Sequence, residues 1–172
     1  MDKSGEFRES LKEAEIAWIA GFIDGEGCLT IQRGYTSKTT RRKVQSAKDS
    51  WVWFRPRLSV HNTDAAAVQY IADFLNVSVW RRKMKSSNLR PIYSAELYSR
   101  KGMLRVLPIL IPHLRVKKEL AKYLYRLVCC PHGSGHVKEN IFKEFSAYSE
   151  SIGQSAVGRR NHKTAILSQA SG

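Results

Sequence analysis

Two carboxylates, Asp24 and Glu26, stand one residue apart where an apolar stretch ends, each followed by a glycine in the run Asp24-Gly25-Glu26-Gly27. Residues 14–24 before them read as a helix, with Ile16, Trp18, Ile19, Phe22 and Ile23 covering it nearly all round, the pattern of a buried helix. A helix C-terminus is the negative end of the dipole, so each acid there costs about 0.3–1 kcal/mol. A bound cation reverses that sign. Oxygen donors alone, a carboxylate with the free carbonyls of a helix end, suit Mg²⁺ and not Zn²⁺. Gly25 and Gly27 let the backbone turn tightly and come close to a ligand. A second set of possible ligands, Cys129, Cys130, His132 and His136, fits no usual CxxC spacing and ends an apolar helix. It reads as structural cysteines beside loop histidines.

The elements that must position the acids follow from changes of period. After the helix, Cys28, Thr30 and Gln32 alternate with Leu29 and Ile31, giving a strand with one polar and one apolar face. Residues 34–50 are polar and basic, a long loop or hairpin tip. A second strand spans about 51–61, with Trp53, Arg55, Arg57, Ser59 and His61 on one face and Phe54, Leu58 and Val60 on the other. Pro56 implies an unpaired side or a bulge there. Asn62-Thr63-Asp64 signals the start of a helix over 65–75. Strands follow at about 77–84 and 92–98, then helices at 100–110, 114–130 and 137–152, the last ended by Gly153. The third strand leaves open whether Arg81 and Lys83, or Arg82, point outward. The order is α-ββ-α-ββ-α-α-α, an α+β fold whose sheet has helices on its apolar face and a polar, basic face left open. The domain is expected over 14–153, with an N-terminal extension at 1–13 and a loosely ordered tail at 154–172.

Charge identifies the class of partner. Lys and Arg total 29 against 15 Asp and Glu in 172 residues, a formal net charge of +14. Between Gly27 and Lys118 there are 19 Lys/Arg and four acids, Asp49, Asp64, Asp73 and Glu96, whereas the first 26 residues hold seven acids and three bases. A mid-section so biased calls for a polyanion, and one open basic sheet face suits a nucleic-acid groove. No run approaches the ~20 apolar residues of a membrane span. The N-terminus lacks the apolar core of a signal peptide, and three cysteines give no disulfide framework, so an intracellular protein is expected, working with the genome that carries its target.

The nonapeptide Ile19-Ala20-Gly21-Phe22-Ile23-Asp24-Gly25-Glu26-Gly27 resembles the LAGLIDADG motif of homing endonucleases in register, with conservative departures at Ile19, Phe22, Gly25 and Glu26. The resemblance implies a curved antiparallel sheet in an αββαββα(α) domain and a metal-dependent double-strand DNA endonuclease of the intron or intein type. It makes Glu26 the metal ligand, with the Gly25 carbonyl as a second, and Mg²⁺ or Mn²⁺ the working ion, with Ca²⁺ supporting binding without cleavage. It implies that Asn62 orients attacking water, with a plain helix cap as the alternative. It makes Lys117, or the adjoining Lys118, the basic residue near the scissile phosphate. The chain has one motif and no second copy, so the resemblance implies a homodimer on a long, roughly palindromic site cut to leave 3′ overhangs. The dimer face would be Ala17, Ala20, Gly21 and Asp24; independently of the resemblance, Ala17, Ala20 and Gly21 form a small-residue stripe with no evident partner in the chain. Gln32, Arg33, Arg55, Arg57, Ser59, Arg81, Lys83 and Ser94 are the candidate DNA contacts. No membrane and no small-molecule substrate are expected. The rival readings are an RNA maturase assisting intron splicing and a catalytically inactive DNA-binding regulator on the same fold.

Overall fold

In the computed structural model, which describes residues 13–37, 50–82, 90–131 and 133–153, alternation and helical spacing resolve into nine elements. Helix α1 (Glu13–Glu26) runs directly into strand β1 (Gly27–Ser37), followed by β2 (Ser50–Asn62), α2 (Ala65–Leu75), β3 (Val79–Arg82), β4 (Ile92–Leu97), α3 (Arg100–Leu110), α4 (Lys118–Cys129) and α5 (Gly135–Ser151). The four strands form one sheet in the order β1-β2-β4-β3. Every neighbouring pair is antiparallel.

The period-2 pattern puts Leu29, Ile31, Leu58 and Val60 on one face, where they are buried with Ile19 and Ile23 of α1, Met103 and Leu107 of α3, Leu124 of α4 and Phe145 of α5. A smaller cluster, Val68, Ala72 and Ala95, seats α2 on the β4 end of the same face. All five helices therefore contribute to a core on one side of the sheet, and no helix among the described residues covers the other side. Asp64 starts α2 by accepting the amide hydrogens of Ala66 and Ala67, while Asn76 closes it in the left-handed conformation at φ 54°.

Three expectations change. The 114–130 helix begins only at Lys118, because residues 111–117 form a turn segment in which the amides of 115–117 bond the Asp24 carboxylate instead of helical carbonyls. The third strand ends among the described residues at Arg82, and Lys83 lies outside them. Its register settles the open facing: Trp80 pairs with Ser94 and Arg82 with Ile92, while Arg81 pairs with Tyr93 and shares the face of Val79 and Ala95. Arg82, rather than Arg81, thus belongs to the uncovered face. Pro56 behaves as its missing N–H requires: it faces Ile31 of β1, while pairing of β2 with β4 begins only at Leu58. The 1–13 extension, apart from Glu13, and the 154–172 tail lie outside the described residues, as does His132.

Candidate metal centre and nucleic-acid interface

The motif occupies the last turns of α1 and the first residue of β1. Ile19, Ala20 and Ile23 are fully buried in the core. The opposite side of the helix, Ala14, Ala17, Trp18, Gly21 and Gly25, is exposed. At about 100° per residue these five fall within a stripe roughly 100° wide. Methyl groups placed at Gly21 and Gly25 would meet nothing within 4 Å. Trp18, 47% exposed, lies edge-on to Tyr70 of α2 with centroids 5.4 Å apart. The expectation of an all-round buried helix therefore fails within one chain. Ala20 is corrected: it packs inside its own domain, and the open small-residue face is built from Ala14, Ala17, Gly21 and Gly25.

Asp24 is also corrected. Instead of lying on that face, its carboxylate gathers the turn before α4: Oδ2 accepts the amides of Arg115 (2.7 Å) and Val116 (3.1 Å), and Oδ1 that of Lys117 (2.8 Å). The same turn delivers Lys117, only 7% exposed, whose ammonium donates to the carbonyls of Ile23 (3.2 Å) and Asp24. A cation thus caps the negative end of α1. Burial lowers the Lys117 pKa from its ordinary value, against the opposing charges of Asp24, Cys28 and Glu26. Of the two adjacent lysines, Lys117 is the one seated under the motif. Glu26 itself is exposed at the end of the helix, beside an exposed Gly25. Asn62 lies at the sheet end, where its Oδ1 accepts the Asp64 amide at 2.9 Å in the turn into α2; the helix cap itself is Asp64. The described residues contain no cluster of three or more His, Cys, Asp or Glu able to hold a metal. Cys130 is buried with its thiol on the Arg126 carbonyl, in keeping with a structural cysteine.

The uncovered sheet face carries Gln32, paired in register with Arg55, and Arg57, paired with Thr30. Trp53 and Tyr98 flank the Arg55 guanidinium, their ring centres 5.3 and 5.9 Å away, and Arg57 lies 5.9 Å from the same Tyr98 ring. Gly34 allows this stack, since a Cβ there would stand 2.2 Å from the Trp53 ring. Arg57 Nη2 donates to Glu96 Oε1 at 2.6 Å, and the Tyr98 hydroxyl donates to Glu96 Oε2. His61 Nε2 lies 3.9 Å from Glu96 Oε1, and its Nδ1 bonds the Ser94 hydroxyl at 2.7 Å.

Three candidate contacts are corrected here. Arg33 follows Leu29 and Ile31 to the helical side, where it pairs with Glu139 of α5 at 3.3 Å and lies 5.9 Å from the Phe142 ring. Ser59 and Ser94 share the open face but are fully buried beneath the larger side chains, so neither hydroxyl reaches the surface. Ser59 Oγ has no hydrogen-bond partner among the described residues. An unpaired buried hydroxyl costs more than it returns, so Ser59→Ala is expected to leave stability unchanged or raise it by about 1 kcal/mol. Thermal melting checks this, and a clear fall in Tm would show that the hydroxyl is satisfied.

The network also sets an acid response. Burial pushes the Glu96 carboxyl up, but the hydrogen bonds from Tyr98 and Arg57 and the Arg57 charge outweigh it and hold it below 4.5. Burial lowers His61 below 6.5, with Glu96 opposing and Arg57 and Arg82 assisting. Both groups bind more protons unfolded than folded, so stability falls as pH drops below about 6.5 and again below about 4.5. Urea midpoints across pH 3–8 are expected to show both losses, the first absent in His61→Gln and the second in Glu96→Gln.

The sequence assigns Glu96 and Tyr98 no role, places Trp53 on the open face without one, and leaves Arg82 as the alternative to Arg81 and Lys83. A signal existed for Glu96: it is one of four acids in the basic mid-section, and alternation places it on the face of Ser94 and Tyr98. The three hydrogen bonds that Asp24 accepts from the amides of residues 115–117, more than ninety positions away, left no such trace.

With this geometry in view, the family assignment follows. The LAGLIDADG endonuclease family model matches residues 19–128, and the chain belongs to that family. No curated protein matches the chain. Among solved structures, the homing endonuclease I-CvuI, in complex with the I-CreI target in 2 mM Mg with DNA not cleaved, matches at TM-score 0.53 and 20% identity over 82% of this chain and 81% of that one. The homing endonuclease I-TnaI matches at TM-score 0.52 and 19% identity over 82% and 87%. The archaeal intron-encoded I-Vdi141I, complexed with DNA, matches at 0.56 and 14% over 82% and 83%. At these identities the likeness is one of fold, an α+β domain with a curved antiparallel sheet.

Proposed function

We propose that this chain is a site-specific, divalent-metal-dependent endonuclease that cuts both strands of a long, roughly palindromic DNA site as a homodimer, leaving 3′ overhangs. The observation that carries the reading is an exposed acid, Glu26, at the end of a helix whose side away from the core is apolar and open, with the small residues Ala17, Gly21 and Gly25 beside Trp18. Two copies meeting on Ala17, Gly21 and Gly25 would bring two Glu26 carboxylates together and supply the acids that one chain lacks. I-CvuI, solved with DNA in Mg and in Ca, supports the partner and the ion class.

The donor set fits a hard cation: a solvent-facing carboxylate beside the Gly25 carbonyl at a helix end, with no Cβ crowding at Gly25, while the preceding carbonyls of Ile23 and Asp24 are taken by Lys117. Glu26 and the Gly25 carbonyl would hold Mg²⁺ or Mn²⁺, which polarises the phosphate and lowers the pKa of water; Ca²⁺ would support binding alone. Lys117 keeps a positive charge beneath the acids, where negative charge grows at the phosphate. Asp24 holds the turn that carries Lys117. Gln32, Arg55, Arg57 and Arg82 face the groove, and residues 14–153 form the working domain, acting in the cell alongside the genome that bears its target.

The test is a randomised duplex library incubated with the protein in Mg²⁺ and in Ca²⁺, with every new end sequenced. A recurrent, near-palindromic cut with 3′ overhangs, confined to Mg²⁺, is expected. DNA bound but uncut in Mg²⁺ would mean a regulator on this fold. No selective DNA binding, with binding of intron RNA, would mean a maturase.

A further inference from the structure

Glu96 is an odd residue for a surface that is to meet phosphates. Of the described acids between Gly27 and Lys118 it alone lies on the open sheet face: Asp64 caps α2, and Asp73 bonds Gln69 along that helix. A carboxylate there weakens attraction for any duplex, so its contribution must be something other than affinity. Both its oxygens are committed, one to Arg57 and one to Tyr98. Arg57 Nε is buried, so only the terminal Nη edge of its guanidinium can face a base. The Tyr98 ring in turn lies beside both Arg57 and Arg55. Arginine reads guanine through a bidentate fork that must be aimed, whereas a phosphate accepts a guanidinium from many directions.

We propose that Glu96 is a specificity-determining positioning residue: with Tyr98 it presets Arg57 and Arg55 as two aimed readers of guanine. The two arginines stand two residues apart on one strand, about 6.6 Å, or roughly two base-pair steps. The inference rests on the endonuclease reading above and adds which residues aim the contacts and which base they select.

The experiment measures binding of the full-length protein in Ca²⁺ to its selected site and to every single base-pair variant of it. Arg57→Ala and Arg55→Ala first locate the two positions each arginine reads, where guanine is expected. Glu96→Gln should then reduce discrimination at those positions about tenfold, leave the other positions as in the wild type, and leave or raise affinity for random duplex. Tyr98→Phe, which keeps the ring and loses the hydroxyl, should give a smaller loss at the same positions. An unchanged profile in Glu96→Gln, or an equal loss on every duplex, would overturn the proposal; should Glu96→Gln fail to fold, the Tyr98→Phe profile decides by the same criterion. A wild-type protein that binds DNA without preference would instead overturn the endonuclease reading itself. A sharp wild-type profile that Glu96→Gln leaves intact would overturn this inference alone.

Discussion

Glu26→Gln is expected to abolish DNA cleavage while leaving the fold and DNA binding in place. Glutamine keeps the shape of the side chain and removes its charge at an exposed position outside the core, so nothing in the packing should respond. What disappears is the anionic oxygen donor on which cation binding would rest. Loss of metal-assisted charge stabilisation is worth several kcal/mol, so a fall in cutting rate on the order of a thousandfold or more is expected. Single-turnover cleavage in Mg²⁺ measures the loss, and binding in Ca²⁺ shows that the protein still engages its site. Cleavage surviving at near wild-type rate would remove Glu26 from the centre. A mixture of wild-type and variant chains adds a second check: if each dimer needs two Glu26, mixed dimers should cut poorly.

Asp24→Ala is expected to damage fold and activity together, in contrast to its neighbour two residues on. Its carboxylate accepts three amides from residues 115–117. Hydrogen bonds to a charged group contribute roughly 1.5–3 kcal/mol each, and partial exposure of this turn lets water replace some of that. A net loss of about 3 kcal/mol is reasonable, lowering Tm by roughly 6–12 °C in a domain this size. The turn would also loosen its hold on Lys117, whose ammonium lies against the Ile23 and Asp24 carbonyls, so cleavage should fall even at temperatures where the variant is folded. Asp24→Asn should lie between the two, since one oxygen remains to accept. A melting temperature unchanged in Asp24→Ala would show that the three bonds contribute nothing net.

Much of this arrangement could be read from the chain because local period and local chemistry coincide. Alternation at 28–32 and 53–61 gave the two faces of β1 and β2, and Leu29, Ile31, Leu58 and Val60 are indeed the buried set. The motif gave the family through nine consecutive residues, which is information of the most local kind. The failures lie where a side chain's setting depends on distant partners. Arg33 is a surface base, but on the helical side of the sheet, where α5 supplies Glu139 as its partner. Ala20 and Ala17 are indistinguishable by size, and only the placement of the core makes one buried and the other exposed. Ser59 was assigned the right face, but alternation cannot tell whether longer neighbours close over a short side chain. Asp24 illustrates the same limit, being read as a residue of the dimer face when its partners lie in a turn beyond all four strands.

The pairing of β2 with β4 only from Leu58 onward leaves the far ends of β1 and β2 joined to each other alone within the sheet. Beyond Pro56 that ribbon is anchored to the domain by a few side contacts, such as Phe54 on Phe142 and Arg33 on Glu139. Exchanging its outward residues therefore disturbs neither the four-stranded base nor the acids at the end of α1. Under the proposed function, a lineage of such proteins would acquire a new target by rewriting Gln32, Trp53 and Arg55 while the acids at the end of α1 stay fixed, and an engineer could follow the same route.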